Sequence, residues 1–143
     1  MESISIKSGK IRLAINDDET CVIEFNPSDI AFAERFYALL KEFDHKQAEY
    51  RQRAEELDAV AGLDELGIPK RTPEGLALLR DICIYMREKV DYLFGAGTSQ
   101  KAFGDALEIE LFEQFFNGVA PFIQKARSER LKKYTAQPGN VLR

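Results

Sequence analysis

Apolar and polar residues alternate over positions 1–25 and then change to helical spacing for most of the remaining chain. Ile4 and Ile6 fall on one face, with Ser3, Ser5 and Lys7 on the other. Ile11, Leu13 and Ile15 alternate with Arg12 and Ala14, and a third β-rich run extends from Thr20 to Phe25. Gly9-Lys10 and Asn16-Asp17-Asp18-Glu19 separate these runs. Period-two alternation broken by turn residues predicts a three-stranded antiparallel β-meander over 1–25. Such a sheet has one apolar face and needs a cover.

The cover is expected from three main helices. Asn26-Pro27-Ser28-Asp29 predicts a helix start, with Asn26 as the cap and Pro27 in the first turn. Ile30, Ala33, Phe36, Leu40 and Phe43 keep helical spacing, so the first half of a helix over 27–60 should pack on the sheet. From Lys41 to Asp58 ten of eighteen residues are charged, and that half should project from the body. Tyr50, Ala54, Leu57 and Val60 thread it with a sparse apolar seam. The seam reads equally as a solvated helix end or as a pairing face for a helix of another chain.

Residues 61–71, with Gly62, Gly67 and Pro69, predict a loop in which Asp64-Glu65-Leu66 forms a helical turn. Thr72-Pro73-Glu74 opens a second helix over 73–94. Along it Leu76, Leu79, Cys83, Met86, Val90 and Leu93 are spaced 3-4-3-4-3, a heptad-like stripe suited to a core or a helix–helix contact. Gly95 is placed to end this helix, Thr98 to cap a short turn over 99–103, and Gly104 to stop it. Asp105 and Glu108 form a capping-box pattern ahead of a last helix over 106–134, kinked at Pro121 and rich in phenylalanine. Residues 137–143, beginning Gln137-Pro138-Gly139, are expected to be a flexible tail. The chain reads as one α+β domain over 1–136.

Composition narrows the chemistry. The chain has 143 residues, 45% of them hydrophobic, which suits one domain with a real core. The net charge is −4, so broad nucleic-acid binding is not favoured. The charge is uneven: from Gln124 onward six basic residues face one acid, leaving −9 on residues 1–123. Lys132 and Lys133 sit in this basic end, which complements a helix dipole or docks an acidic partner. His45 is the single histidine, and Cys21 and Cys83 are isolated, so no zinc-ligand set is expected. The start of the chain does not resemble a signal peptide, and no apolar run approaches the roughly 20 residues needed to span a bilayer. A soluble intracellular protein without membrane attachment is expected.

Each candidate for chemistry has a plainer alternative. Gly95-Ala96-Gly97-Thr98-Ser99 resembles a phosphate cradle in composition, but a helix precedes it and no Gly-Lys-Ser/Thr ending follows. An interhelical corner built on Gly95, Gly97, Thr98 and Gly104 accounts for it better. Asp44 and His45 are helical neighbours that do not face each other. Asp105, Glu108, Glu110 and Glu113 crowd a helix start, where acids are favoured anyway. No catalytic constellation and no cofactor site emerges. By elimination the chain binds protein, with Phe112, Phe115, Phe116 and Phe122 of the last helix, Tyr50, Leu57, Lys132 and Lys133 as candidate contact residues. The heptad-like stripe and the Tyr50 seam also admit a homo-oligomer.

Tyr92 to Gly104, read as Y-L-F-G-A-G-T-S-Q-K-A-F-G, resembles the F-G-x-G-T-S-x-K-x-F-G signature of small phage and prophage proteins from Gram-positive hosts. The N-terminal Ile4-Ser5-Ile6-Lys7-Ser8-Gly9-Lys10 is similar to the β-hairpin at the start of that family. Members resemble tail assembly chaperones from the tail-morphogenesis gene block. The resemblance implies a protein of the host bacterial cytoplasm that shields apolar helices of a tape measure protein. It implies no cofactor and no catalytic residue. The long charged segment from Lys41 to Asp58 and the basic end after Gln124 depart from the family layout. The rival expectation is a phage-encoded inhibitor of a host defence nuclease, which the acidic first 123 residues permit.

Overall fold

The computed structural model describes residues 1–135, so the tail expected over 137–143 lies outside the described residues. The described chain runs β1 (Ile11–Ile15), β2 (Asp18–Phe25), α1 (Ile30–Asp58), α2 (Thr72–Phe94), α3 (Thr98–Phe103) and α4 (Ile109–Thr135). The α+β class is as expected; the sheet is smaller.

β1 and β2 form a two-stranded antiparallel hairpin in which Ile11 lies opposite Phe25 and Leu13 opposite Ile23. Asn16 and Asp17 both hold left-handed φ, of 53° and 60°, as a two-residue primed turn requires. The Asp18 carboxylate steadies the return by accepting from the Thr20 N–H at 2.9 Å and the Thr20 hydroxyl at 2.6 Å. The third strand expected over residues 2–7 is not formed: residues 1–8 are exposed and join no ladder. A reversal at Gly9-Lys10 needs positive φ, and Gly9 is not among the residues that adopt it. Gly9 instead packs on the chain before α1, where an added Cβ would lie 2.5 Å from the Ser28 Oγ.

α1 begins three residues later than the 27–60 expectation and ends at Asp58. Its cap is Asp29, whose carboxylate accepts from the Ala31 N–H at 3.0 Å; Asn26 instead bonds the Ser28 N–H in the preceding turn. Phe32, Phe36 and Leu39 are the buried positions, while Ile30 and Leu40 of the expected stripe are exposed. The stripe continues through half-buried Phe43, Tyr50, Ala54 and Leu57. At about 1.5 Å per residue α1 is about 43 Å long. α2 returns antiparallel along it, since Glu42 pairs with Lys89, Tyr50 meets Tyr85 and Arg53 pairs with Asp81. The Tyr50 seam thus packs within the chain.

One end of this α1–α2 hairpin is the body of the protein. Phe25 from β2, Phe32 from α1 and Phe94 from α2 meet with ring centroids 5.2–5.5 Å apart. Phe115 from α4 stands edge-on to Phe94 at 5.1 Å, and Phe103 from α3 lies 4.7 Å from Phe112. Val90, Cys83 and Ile123 are fully enclosed in the same cluster. Aromatic edge-to-face pairs of this kind add to the burial of their large apolar area. α4 starts at Ile109, three residues after the position expected from Asp105, and runs continuously through Pro121.

Candidate protein-binding surfaces

The glycine-rich corner is a joint. Gly95 closes α2 with φ 110° and its N–H on the Asp91 carbonyl at 2.9 Å, and Gly97 holds the left-handed position that starts α3. Thr98 is buried and makes no cap; the expected capping role belongs to Asp91, one helix earlier. Its carboxylate accepts from the Ser99 N–H at 2.8 Å and from the Ser99 hydroxyl at 3.0 Å. A carboxylate therefore occupies the place a bound phosphate would take at the start of α3. Arg87 reaches from α2 to the Gln100 side chain at 2.9 Å and the Ala106 carbonyl at 3.2 Å, and Gln100 in turn bonds Asp105 at 3.0 Å. Asp105 is drawn into this network rather than into the expected cap of α4. Gly104 ends α3 with φ 59°.

The four candidate phenylalanines separate. Phe112 and Phe115 are core residues, which corrects their assignment as partner contacts: they fill the space among α2, α3 and α4. Phe116 is half-buried between Phe36 and Phe115, and Phe122 is the exposed member. Tyr50 and Leu57 are half-buried against α2. Lys132 and Lys133 are exposed in the last turn of α4, with the Lys133 ammonium 5.3 Å from the Tyr134 ring. His45 and Asp44 are exposed on α1.

A band of polar and aromatic groups ties the middle of α1 to α2. The Lys89 ammonium lies 3.1 Å from the Glu42 carboxylate and 5.6 Å from the Tyr85 ring centre, and the Lys46 ammonium lies 5.5 Å from the same ring centre. Burial pushes the Tyr85 hydroxyl well above the ordinary tyrosine range, and the neighbouring Glu42 carboxylate adds to the shift. That hydroxyl is enclosed and, among the described residues, has no hydrogen bond of good geometry. The approach of the Tyr85 hydroxyl, then of Lys89, holds Glu42 below its usual value. Burial likewise raises the Cys83 thiol, so this cysteine stays protonated inside the core. These groups lock two helices together, and among the described residues no cluster of His, Cys, Asp or Glu is placed to hold a metal ion.

Beyond the band the hairpin ends in an apolar tip. Residues 61–70 are all exposed, yet they form an ordered loop. The Asp64 carboxylate accepts from the Leu66 and Ile68 N–H groups at 2.8 and 3.0 Å, and the Asp64 N–H bonds the Ile68 carbonyl at 2.7 Å. This closed turn replaces the helical turn expected at Asp64-Glu65-Leu66. It holds Leu63, Leu66 and Ile68 outward, with Leu66 82% exposed. Val60 at the end of α1 and Leu76 and Leu79 at the start of α2 are exposed at the same end, Leu76 by 62%. Between the helices Ala54, Leu57, Val60, Leu76 and Leu79 line a cavity of about 470 Å³. Leu63, Leu66 and Ile68 follow no helical or strand period, so the sequence pattern does not single them out; three large apolar residues among Gly62, Gly67 and Pro69 are the signal it offers.

A second groove, of about 530 Å³, lies between the start of α1 and the end of α4, floored by Ile30, Tyr37 and Leu131 and rimmed by Arg127 and Arg130. No helix of the described residues is long and apolar enough to cross a membrane.

Residues 16–140 match a family of unknown function, DUF6673. The chain belongs to this family. The matched range takes in β2, all four helices, the corner and the tip, and leaves residues 1–15 outside. No curated protein and no solved structure matches the chain.

Proposed function

We propose that this member of DUF6673 is a non-catalytic protein-binding module whose apolar tip holds an amphipathic helix of its partner, in the manner of a tail assembly chaperone. The observation that carries this reading is the tip itself. An ordered loop, fixed by Asp64, keeps Leu63, Leu66 and Ile68 in solvent beside exposed Val60, Leu76 and Leu79. A cluster of large apolar groups on an ordered surface is costly to leave in water and marks an interaction site. The trough between two helices suits a third helix, which presents apolar anchors at i, i+3, i+4 and i+7. Arg53 and Arg71 beside the trough are paired with Asp81 and Glu74, so the apolar side chains carry the recognition. The likeness of Tyr92 to Gly104 to the signature of phage tail-morphogenesis proteins directs the choice of partner to the tape measure protein, a long helical chain that needs cover before the tail polymerises.

The test is co-purification of the full chain with tape measure fragments, against the chain carrying Leu66→Asp and Leu76→Asp. Capture by the natural chain and loss in the variant is the expected result. Capture that survives both substitutions rejects the tip as the site. Failure to bind any fragment, together with tight binding of a host nuclease, favours the inhibitor reading instead.

A further inference from the structure

β1 is an edge strand with one open side. Its ladder to β2 uses alternate N–H and C=O groups, and the intervening ones point away from β2. Among the described residues no backbone group of another element bonds them. The far side of β2, by contrast, is taken by α3: the Cys21 thiol meets the Lys101 carbonyl at 3.1 Å and the Lys101 ammonium meets the Val22 carbonyl at 3.4 Å. Under the hairpin, between β1 and α4, lies a cavity of about 410 Å³ that extends to Ile23 of β2 and to Ala102 and Phe103 of α3, with Leu111, Val119 and Phe122 as its α4 wall. Leu13, Ala14, Ile15 and Asn16 all line it. Asn16 belongs to the turn, but Leu13, Ala14 and Ile15 are consecutive strand residues that point to opposite faces, so a cavity touching all three reaches the backbone edge of β1 as well as its apolar face.

The same chain carries a segment of strand pattern that joins no sheet. Ile4 and Ile6 alternate with Ser3, Ser5 and Lys7, and both isoleucines are 85% exposed. A segment with this pattern and no ladder is a template for pairing. It does not fold back on its own β1, because Gly9 is packed against Ser28 and lacks the positive φ of a tight reversal. A two-stranded hairpin by itself is also marginal, and a third strand would complete it.

We propose that residues 3–7 of one copy add as a strand to the open edge of β1 in a second copy, seating Ile4 and Ile6 in the cavity between β1 and α4. Residues two apart on a strand are separated by about 6.8 Å, so Ile4 and Ile6 match the spacing of Leu13 and Ile15 beside them. Donor and acceptor lie on one chain, so two copies exchange arms reciprocally, or several close a ring. The inference uses no residue of the tip and stands whether or not the tip binds a tape measure helix.

The test is sedimentation of the full chain at micromolar concentration. The natural chain is expected as a dimer or larger closed oligomer, and Ile4→Asp/Ile6→Asp as a monomer with unchanged helical circular dichroism. Both substituted side chains are in solvent, so the fold tolerates them. A monomeric natural chain, or an oligomer unaffected by the two substitutions, overturns the proposal. Direct contact is read by mixing an Ile6→Cys chain with a Phe122→Cys chain, each carrying Cys21→Ser. A disulfide joining the two different chains is expected. Its absence from the mixture, with an intramolecular cross-link in the Ile6→Cys/Phe122→Cys chain, places the arm on its own molecule and rejects exchange.

Discussion

One apolar stripe runs the length of α2 and meets two different fates. Cys83, Met86, Val90 and Leu93 are buried, whereas Leu76 and Leu79 stand in solvent on the same helix and in the same 3-4-3 spacing. The difference lies in what surrounds each half. The second half of α2 is met by β2 through Phe25, by α1 through Phe32 and by α4 through Phe115. In the first half α1 is mostly charged and brings Ala54 and Leu57 to the contact, with Val60 just beyond its end; Leu78 is buried there, while Leu76 and Leu79 beside it stay exposed. Periodicity shows that a face is apolar; the number of elements reaching that face decides whether it becomes core or surface.

The comparison is easiest to break with a charge. Val90→Asp places a carboxylate at a site with no exposure, and burial of an unpaired charge should cost more than about 4 kcal/mol and unfold the domain. Leu76→Asp, two turns of the same stripe away from Cys83, should change stability by less than about 0.5 kcal/mol. Urea unfolding followed by circular dichroism measures both. Similar losses at the two sites would show that the tip is part of the core.

α4 sharpens the contrast on a second helix. Phe115→Ala should cost about 3–5 kcal/mol by opening a cavity among the rings of Phe94, Phe103 and Phe116. Phe122→Ala, at an exposed position, should cost less than about 1 kcal/mol by the same measurement. Next in size is the corner that fixes the body end of the hairpin. Asp91→Ala removes both bonds to Ser99 and should cost about 1–2 kcal/mol, with Ser99→Ala costing less because the Ser99 N–H keeps its acceptor.

The smallest effect lies at the boundary between body and tip, where Glu42 meets Tyr85 and Lys89. Glu42 is held below its ordinary value of 4.5, so the folded state binds its proton more weakly than the unfolded chain does. Its contribution is complete above that ordinary value and is lost as pH falls through the lowered one. Because the group is half-exposed, the change is slight. Glu42→Gln should flatten this acid limb in a pH series of urea midpoints, and an unaltered limb would show that Glu42 does not contribute.

Most of the helical frame was readable because its signals are local. The turn residues between helices and the spacing of apolar residues placed α1, α2 and α4 to within three residues at each end, although the expected caps Asn26 and Asp105 bond elsewhere. What escaped depended on distant parts of the chain. Alternation at Ile4 and Ile6 predicted a strand, but a strand exists only where an edge receives it, and Gly9 steers this one away. Asp91 does not read as a cap in the sequence because it acts on a helix that begins after the corner. Phe112 and Phe116 were indistinguishable by type, and only the crossing of α4 over Phe36 and Phe103 separated them. The tip was hidden for the opposite reason: its leucines have no period, and their exposure follows from a loop closed by one aspartate.

The most direct test of the contrast between core and tip is one double variant read in two ways. Leu66→Asp/Leu76→Asp is measured for its urea midpoint and for co-purification with tape measure fragments that the natural chain captures. An unchanged midpoint with capture abolished is the predicted result. A folded double variant that captures the fragments as well as the natural chain does would contradict it.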